Sequence, residues 1–148
     1  MALKTPASLL EIRADVTDLR PASLWLEQQA TARDIPPDQI FRLDLCLNEA
    51  LANVIEHGGH EASQAPVRLS LGSAVESDSA HATLMISDAG RAFNPLAAAP
   101  KAQPDSLADA TPGGLGLGLM TCFADEVAYE HLHDRNCLQF VVRWSTDQ

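Results

Sequence analysis

The spacing of hydrophobic residues along the chain predicts two amphipathic helices and several alternating strands. Apolar side chains recur every three to four residues over 18–33 and from Asp38 to about His57, with Pro36-Pro37 separating the two predicted helices. Apolar and polar residues alternate with a period of two in the segments predicted as strands: 9–14, 67–75, 82–87, 126–132 and 138–145. The order is therefore one strand, two helices, two strands, a long loop, a short helix and two strands.

This order of elements predicts an α+β fold class. Because most neighbouring strands are joined by short turns, we expect a mixed, mostly antiparallel sheet with the helices on one face, forming a two-layer sandwich. The last of these turns is predicted at His133–Asn136. A length of 148 residues suits one such domain, and no linker or repeat divides it, so 1–148 is interpreted as a single domain.

A long segment without periodicity separates the predicted strand 82–87 from the short helix. Residues 94–112 are rich in Ala, Pro and Asp, and loops of this length in compact domains are usually lids or disordered segments. Four of the eight glycines then fall within Gly113–Gly118, just before the helix predicted at 119–125. Backbone N–H groups in such a turn can bind phosphates. A dinucleotide fingerprint is the competing interpretation, but it requires a different glycine spacing and an earlier position in the chain.

Composition narrows the classes of partner. The net charge is −10, and the 20 acidic residues outnumber the 10 Lys and Arg, which argues against a nucleic-acid-binding protein. Three scattered cysteines, Cys46, Cys122 and Cys137, indicate free thiols in a reducing compartment rather than a disulfide framework. With no signal-peptide pattern and no apolar stretch of about 20 residues, the sequence predicts no membrane association and a cytoplasmic location.

A first candidate site lies on the second predicted helix. Glu49 and Asn53 are four residues apart and project from the same face, which we expect to lie opposite the apolar stripe. Taken alone, this arrangement is more simply interpreted as a solvated helix face, and Asp44 and Asn48 are interpreted as solvated. The chemistry available is specific, however, because a carboxylate can accept a proton from a hydroxyl and an amide oxygen can ligate Mg²⁺.

A second candidate site follows the strand 82–87. Asp88 at a strand end can accept a hydrogen bond from an exocyclic amine, and Gly90 would let that amine approach the backbone. An ordinary Asp-x-Gly turn is the alternative interpretation, since such turns are common.

Taken together, these motifs resemble the histidine-kinase-like ATPase (GHKL) superfamily, and more closely its anti-sigma-factor serine/threonine kinase branch. The likeness rests on three boxes and on a later Asp125-Glu126-Val127 run, and it spans about 9–144. The boxes are Glu49-Ala50-x-x-Asn53-x-x-x-His57-Gly58, Asp88-x-Gly90-x-x-Phe93-x-Pro95 and Gly113-Gly114-Leu115-Gly116-Leu117.

The resemblance implies that ATP and Mg²⁺ bind between the sheet and the helices. In kinase members, the residue equivalent to Glu49 acts as general base on a serine of a small antagonist protein. Asn53 would ligate Mg²⁺, Asp88 would bind the adenine amine, and 94–112 would form the lid. The implied nucleotide-binding set is Asn53, Asp88, Gly90, Phe93, Gly113, Gly114, Leu115, Gly116, Leu117 and Gly118. The implied partners are a STAS-type (anti-anti-sigma) antagonist and a sigma factor.

Two departures from the family pattern keep a second function open. Gly118 stands where the family often has a bulkier residue, and no Lys or Arg occurs between Lys101 and Arg135. Charge on the γ-phosphate would then be neutralised by Mg²⁺, backbone N–H groups, and Arg91 or Lys101. The alternative to a serine kinase is therefore a nucleotide-gated binding module that sequesters a sigma factor or another regulator.

Remaining features receive simpler interpretations. The catalytic piece of a sensor histidine kinase is disfavoured because no helical hairpin with a phosphoacceptor His precedes the motifs. His57 is interpreted as a helix-end residue, with packing beside the site as the alternative. Trp25, Phe140 and Trp144 are interpreted as core or subunit-contact residues, which leaves a homodimer open.

Overall fold

The structure is a computed structural model that describes residues 3–4, 6–96 and 123–146. In chain order these residues form β1 (Leu3–Lys4), β2 (Ser8–Ile12), α1 (Leu19–Ala32), α2 (Pro37–His57), β3 (Val67–Val75), β4 (Ser79–Asp88), β5 (Glu126–Leu132) and β6 (Arg135–Ser145). Single 3₁₀ turns occur at Val16–Asp18 and His60–Ser63. Most of the predicted loop, the glycine turn 113–118 and the start of the last predicted helix lie outside the described residues.

The architecture confirms the predicted two-layer α+β fold. The sheet has the order β1-β3-β4-β6-β5, with β2 also pairing with β3, and each of the pairings described is antiparallel. Both helices pack on one face of this sheet, where Leu26, Leu47 and Phe140 are fully buried in a continuous core. Trp25 and Trp144 pack against the same core, as their core interpretation predicted.

The two helices begin and end where local backbone chemistry requires. α1 closes in a Schellman motif, in which Ile35 N donates to Ala30 O (3.0 Å) and Asp34 N donates to Thr31 O (3.0 Å). Asp34 takes the left-handed conformation (φ 60°) that this motif requires. Pro37 then starts α2, at a position where a missing N–H costs nothing. No helix in the described part of the chain is long and apolar enough to cross a membrane.

Strand periodicity decides which polar residues enter the core. Along β4 the buried residues alternate strictly, and the last inward position is occupied by Asp88. On β6 the inward series begins with Asn136, which is the register partner of Asp88. The ends of these two central strands therefore bring two buried polar side chains together beneath the helices.

The turn between β5 and β6 is shorter than predicted. Only His133 and Asp134 form it, both with positive φ (54° and 60°), as in the two-residue turns that suit the twist of a hairpin. The prediction of His133–Asn136 was wrong at its end, because Arg135 and Asn136 are polar residues within β6. Polar character alone does not separate a turn residue from a strand residue that has buried hydrogen-bond partners.

The predicted faces of α2 also need correction. Asn53 is only 6% exposed, so it does not lie opposite the apolar stripe. It lies seven residues, or two turns, after the buried Cys46 and borders the stripe. Asn48 is not simply solvated either: its Nδ2 donates to Ser23 Oγ (3.0 Å) on α1, while Asp44 is half-buried.

Candidate functional site

A cleft that is partly open to solvent lies between the C-terminal half of α2 and the neighbouring parts of the sheet. Its apolar lining comprises Ala50, Val54, Ile86, Phe93, Pro95 and Leu138. Its polar lining comprises Asn53, His57, Asp88, Arg91, Tyr129 and Asn136. Apolar walls with a few convergent polar groups are typical of small-molecule sites.

Asp88 presents a buried carboxylate to this cleft. The side chain is 6% exposed, and its Oδ1 accepts hydrogen bonds from Gly90 N (2.9 Å) and Asn136 Nδ2 (3.1 Å). Both donors are fixed by the backbone or by the sheet register, so the carboxylate has a defined orientation. A carboxylate held in this way can accept a further hydrogen bond from a ligand in the cleft.

Asn53 presents a second buried polar group. It lines the cleft from α2, and its Nδ2 has no hydrogen-bond partner. A buried polar atom left unpaired costs about 1–3 kcal/mol, so a ligand that pairs with this amide gains from relieving the cost. The structure therefore brings Asn53 and Asp88, predicted from two separate motifs, to the same cleft.

Glu49 lies one helical turn before Asn53, beyond the residues that line the cleft. It is half-buried, and this burial raises the pKa of its carboxyl group above the ordinary value of 4.5. A raised pKa moves a carboxylate toward the range in which a general base works well. Glu49 is thus the one predicted site residue on α2 that borders the cleft rather than lining it.

Close backbone contact attaches the end of α2 to the loop that follows β4. A Cβ added to Gly90 would lie 2.8 Å from Gly58 Cα and 2.9 Å from Gly58 O. Arg91 N donates to Gly58 O (3.3 Å), and Arg91 Nε donates to His57 O (3.1 Å). Gly90 is therefore required by the packing of one backbone on another, which is a use of glycine that the sequence analysis did not anticipate.

The ring of His57 stacks on Phe93, with centroids 4.5 Å apart and an interplanar angle of 19°. The interpretation of His57 as a helix-end residue was therefore incomplete, since its ring also forms part of the cleft wall. The phosphate-binding residues predicted at 113–118, and Lys101, lie outside the described residues. Tyr129 and Asn136 also line the cleft, although neither was predicted as a site residue.

Glu49 should make stability depend on pH in a predictable direction. Its folded pKa lies above the unfolded value of 4.5, so the folded state binds more protons between these two values and stability falls as pH rises through that window. Glutamine cannot ionise. We therefore expect Glu49→Gln to be more stable than the wild type in urea unfolding at neutral pH, with the two proteins converging in acid below 4.5.

The control for this prediction is Glu76→Gln, which removes the same charge from an exposed position in the turn between β3 and β4. An equal, pH-dependent gain in both variants would contradict the prediction. It would mean that relief of the overall negative charge, rather than of the burial of Glu49, is the cause.

Comparison with known proteins identifies a family model that matches most of this chain. The model of the family described as "Histidine kinase-like ATPase domain" matches residues 12–142. A relative named serine/threonine-protein kinase BtrW, from Bordetella bronchiseptica, is 32% identical over 128 residues, which are 86% of this chain and 87% of the relative.

A solved structure is similar in fold. The crystal structure of the RsbU and RsbW domains of Rv1364c from Mycobacterium tuberculosis matches with a TM-score of 0.64 and 14% identity over 95% of this chain. This chain spans 33% of that longer chain, and at such identity the likeness concerns the fold alone. Because the family model covers most of the chain and includes both α2 and β4, this chain belongs to the histidine kinase-like ATPase domain family.

Proposed function

We propose that this chain is an ATP-dependent serine/threonine protein kinase of the anti-sigma-factor type, with Mg²⁺-ATP bound in the cleft beside α2. The observation that carries the proposal is that Asn53 and Asp88, two buried polar residues from separate motifs, line one otherwise apolar cleft. Membership of the ATPase family and the relative named as a serine/threonine kinase support it.

The described residues fit the adenine end of a nucleotide. The apolar walls of the cleft suit a flat base, and the Asp88 carboxylate can accept a hydrogen bond from an exocyclic amine. The amide of Asn53 keeps hydrogen-bonding capacity for a ligand, and its oxygen is a neutral ligand of the kind that Mg²⁺ accepts. Bound Mg²⁺ supplies charge neutralisation to the phosphates, and the predicted turn Gly113–Gly118 would bind them through its N–H groups.

Glu49 is assigned the role of general base. It would accept the proton of a serine hydroxyl while the serine oxygen bonds to the γ-phosphorus and the bond to the leaving ADP breaks. Half-burial and the raised pKa of its carboxyl group favour this role. The hydroxyl would belong to a small STAS-type antagonist protein, and a sigma factor would be the regulated partner.

One observation favours the alternative, a nucleotide-gated binding module. Arg91, the arginine that lines the cleft, directs its Nε to the carbonyl oxygen of His57. Its role is therefore at least partly to attach the β4 loop to α2. If no other cation reaches the γ-phosphate, no phosphoryl transfer would occur. Nucleotide binding would then only change the shape of the surface with which this protein binds its partner.

The experiment that tests the proposal is direct. The protein is incubated with Mg²⁺-ATP and with each antagonist-type domain encoded in the same genome, and phosphoserine is detected by mass spectrometry. Phosphorylation of one such domain supports the kinase. An ATP-dependent affinity for a partner without any phosphoserine would support the binding module instead.

Nucleotide binding itself gives a separate prediction. At Mg²⁺-ATP about 100 times the Kd, the melting temperature should rise by about 5–10 °C, because ligand binding stabilises the folded state by mass action. Asn53→Ala should lose most of this shift, and Asp88→Asn should weaken binding of the adenine base.

The matched control is Asn48→Ala, an asparagine on the same helix that bonds to Ser23 of α1 and lies away from the cleft. It should keep the full ATP-dependent shift. A wild type with no shift and no calorimetric signal for Mg²⁺-ATP would contradict the assignment of this cleft.

A further inference from the structure

Among the described residues that line the cleft, Asn136 has the largest number of hydrogen-bond partners. It is 6% exposed at the start of β6, and its Nδ2 lies within hydrogen-bond distance of three acceptors: Asp88 Oδ1 (3.1 Å), Gly90 O (3.2 Å) and Arg91 O (3.0 Å). One amide group thus connects β6 to the carboxylate at the end of β4 and to the loop after it.

The other side of the same amide is equally constrained. Asn136 Oδ1 accepts hydrogen bonds from Phe93 N (3.1 Å) and from the Tyr129 hydroxyl on β5. Turning the amide over would place its oxygen against three acceptors and its NH₂ group against two donors. The orientation of Asn136 is therefore fixed by charge and hydrogen-bond polarity, not only by packing.

Tyr129 remains a hydrogen-bond donor under neutral conditions. Burial raises the pKa of its phenol above 10, and the nearby negative charge of Asp88 acts in the same direction. The aromatic ring also lines the cleft, so its hydroxyl reaches the network from the wall of the site. Tyr129 and Asn136 thus form a two-residue support behind the Asp88 carboxylate.

This support determines what Asp88 can accept. Its Oδ1 is engaged by Gly90 N and Asn136 Nδ2, so the carboxylate is held as an acceptor facing the cleft. The 6-position of adenine carries an amine, which donates, whereas hypoxanthine and guanine carry a carbonyl there, which would meet the carboxylate as acceptor against acceptor. Any freedom of the carboxylate to turn away would weaken this distinction.

We infer that Asn136, oriented by Tyr129, is a positioning residue that fixes the Asp88 carboxylate and thereby sets a preference for adenine over 6-oxopurine nucleotides. The inference rests on the proposed function, since it assumes that the base lies against Asp88. It goes further by assigning base selectivity to two residues that the family motifs do not contain.

The test compares the affinities of Mg²⁺-ATP and Mg²⁺-ITP by calorimetry, because inosine differs from adenosine chiefly at the 6-position. We expect the wild type to prefer ATP. Asn136→Ala should lower the ATP-to-ITP affinity ratio by about tenfold, the size of a lost hydrogen bond to a charged group. Tyr129→Phe, which removes one hydroxyl and preserves the ring, should lower it by about two- to fivefold.

Two controls separate positioning from general stability. Melting temperatures without nucleotide report the stability lost by each variant, and Asn48→Ala matches the loss of a hydrogen-bonded asparagine outside the cleft. Reduced ratios in Tyr129→Phe and Asn136→Ala, with an unchanged ratio in Asn48→Ala, would support the inference. If Asn136→Ala does not fold, the ATP-to-ITP affinity ratio of Tyr129→Phe alone tests the inference.

The contrary outcomes are distinct. A wild type that prefers ATP, with the same ratio in both cleft variants, would overturn the inference and leave the proposed function intact. An equal fall in Asn48→Ala would overturn it as well, because the effect would then be one of stability. A wild type that binds neither nucleotide would overturn both the inference and the assignment of the cleft.

Discussion

Replacing Glu49 by glutamine is expected to slow phosphoryl transfer to a cognate serine by about 10²–10⁴-fold, which is the usual contribution of a general base. Glutamine keeps the size and hydrogen-bonding shape of the side chain but cannot take the serine proton. Because Glu49 borders the cleft without lining it, the affinity for Mg²⁺-ATP should change little. Single-turnover transfer and calorimetry on the same variant measure these two quantities separately.

The same substitution should stabilise the fold at neutral pH, because the carboxylate is half-buried and its pKa is raised. Stability and activity would therefore change in opposite directions, which an unfolded or damaged variant cannot imitate. Glu76 is an exposed glutamate in the turn before β4, at the opposite end of that strand from Asp88. The control variant Glu76→Gln should therefore transfer the phosphoryl group at the full rate. If Glu49→Gln transferred the phosphoryl group as fast as the wild type, Glu49 would not be the general base. The assignment of the fold would be unaffected.

The elements of the fold were largely predictable because their signal is local. Residues 67–75 and 126–132 were predicted with the bounds that the structure gives, and both helices agree within one residue. The inward direction of Asp88 follows from the same alternation that buries its neighbours along β4. The alternation within β4 alone is enough to establish that Asp88 points inward.

The face of Asn53 was predicted wrongly for a reason that lies in α2 itself. The predicted stripe ran through Ala50 and the large apolar residues but left out Cys46, which is also buried and extends the stripe toward Asn53. Counting the buried Cys46 as part of the stripe would have placed this asparagine at its border. The error therefore came from the width assigned to the apolar face, not from its period.

The contacts that complete the site could not be read from one sequence. Asp88 and Asn136 are 48 residues apart and meet only because β4 and β6 pair in one particular register. The stacking of His57 on Phe93 likewise depends on how the β4 loop meets the end of α2. Such long-range registers depend on the packing of the whole sheet, so a single strand or helix does not encode them.

Gly90→Ala should affect both stability and nucleotide binding, because the space for a Cβ is already occupied. The added carbon would lie 2.8 Å from Gly58 Cα, 2.9 Å from Gly58 O and 2.8 Å from Asp88 Oδ1. Two of these are backbone atoms, so relief requires the β4 loop to separate from α2. Overpacking of this kind costs about 1–3 kcal/mol, which would lower the melting temperature by several degrees.

The chain contains a matched control for the same chemical change. Gly72→Ala adds a methyl group in β3, where nothing lies within 4 Å of the new carbon, and it should be neutral or slightly stabilising. In Gly90→Ala the displaced Asp88 carboxylate should also weaken Mg²⁺-ATP binding, whereas Gly72→Ala should bind ATP like the wild type. If both alanine variants melt and bind alike, the contact between Gly58 and Gly90 does not position the site. If Gly90→Ala loses stability but keeps its full ATP affinity, the contact supports the fold without orienting Asp88.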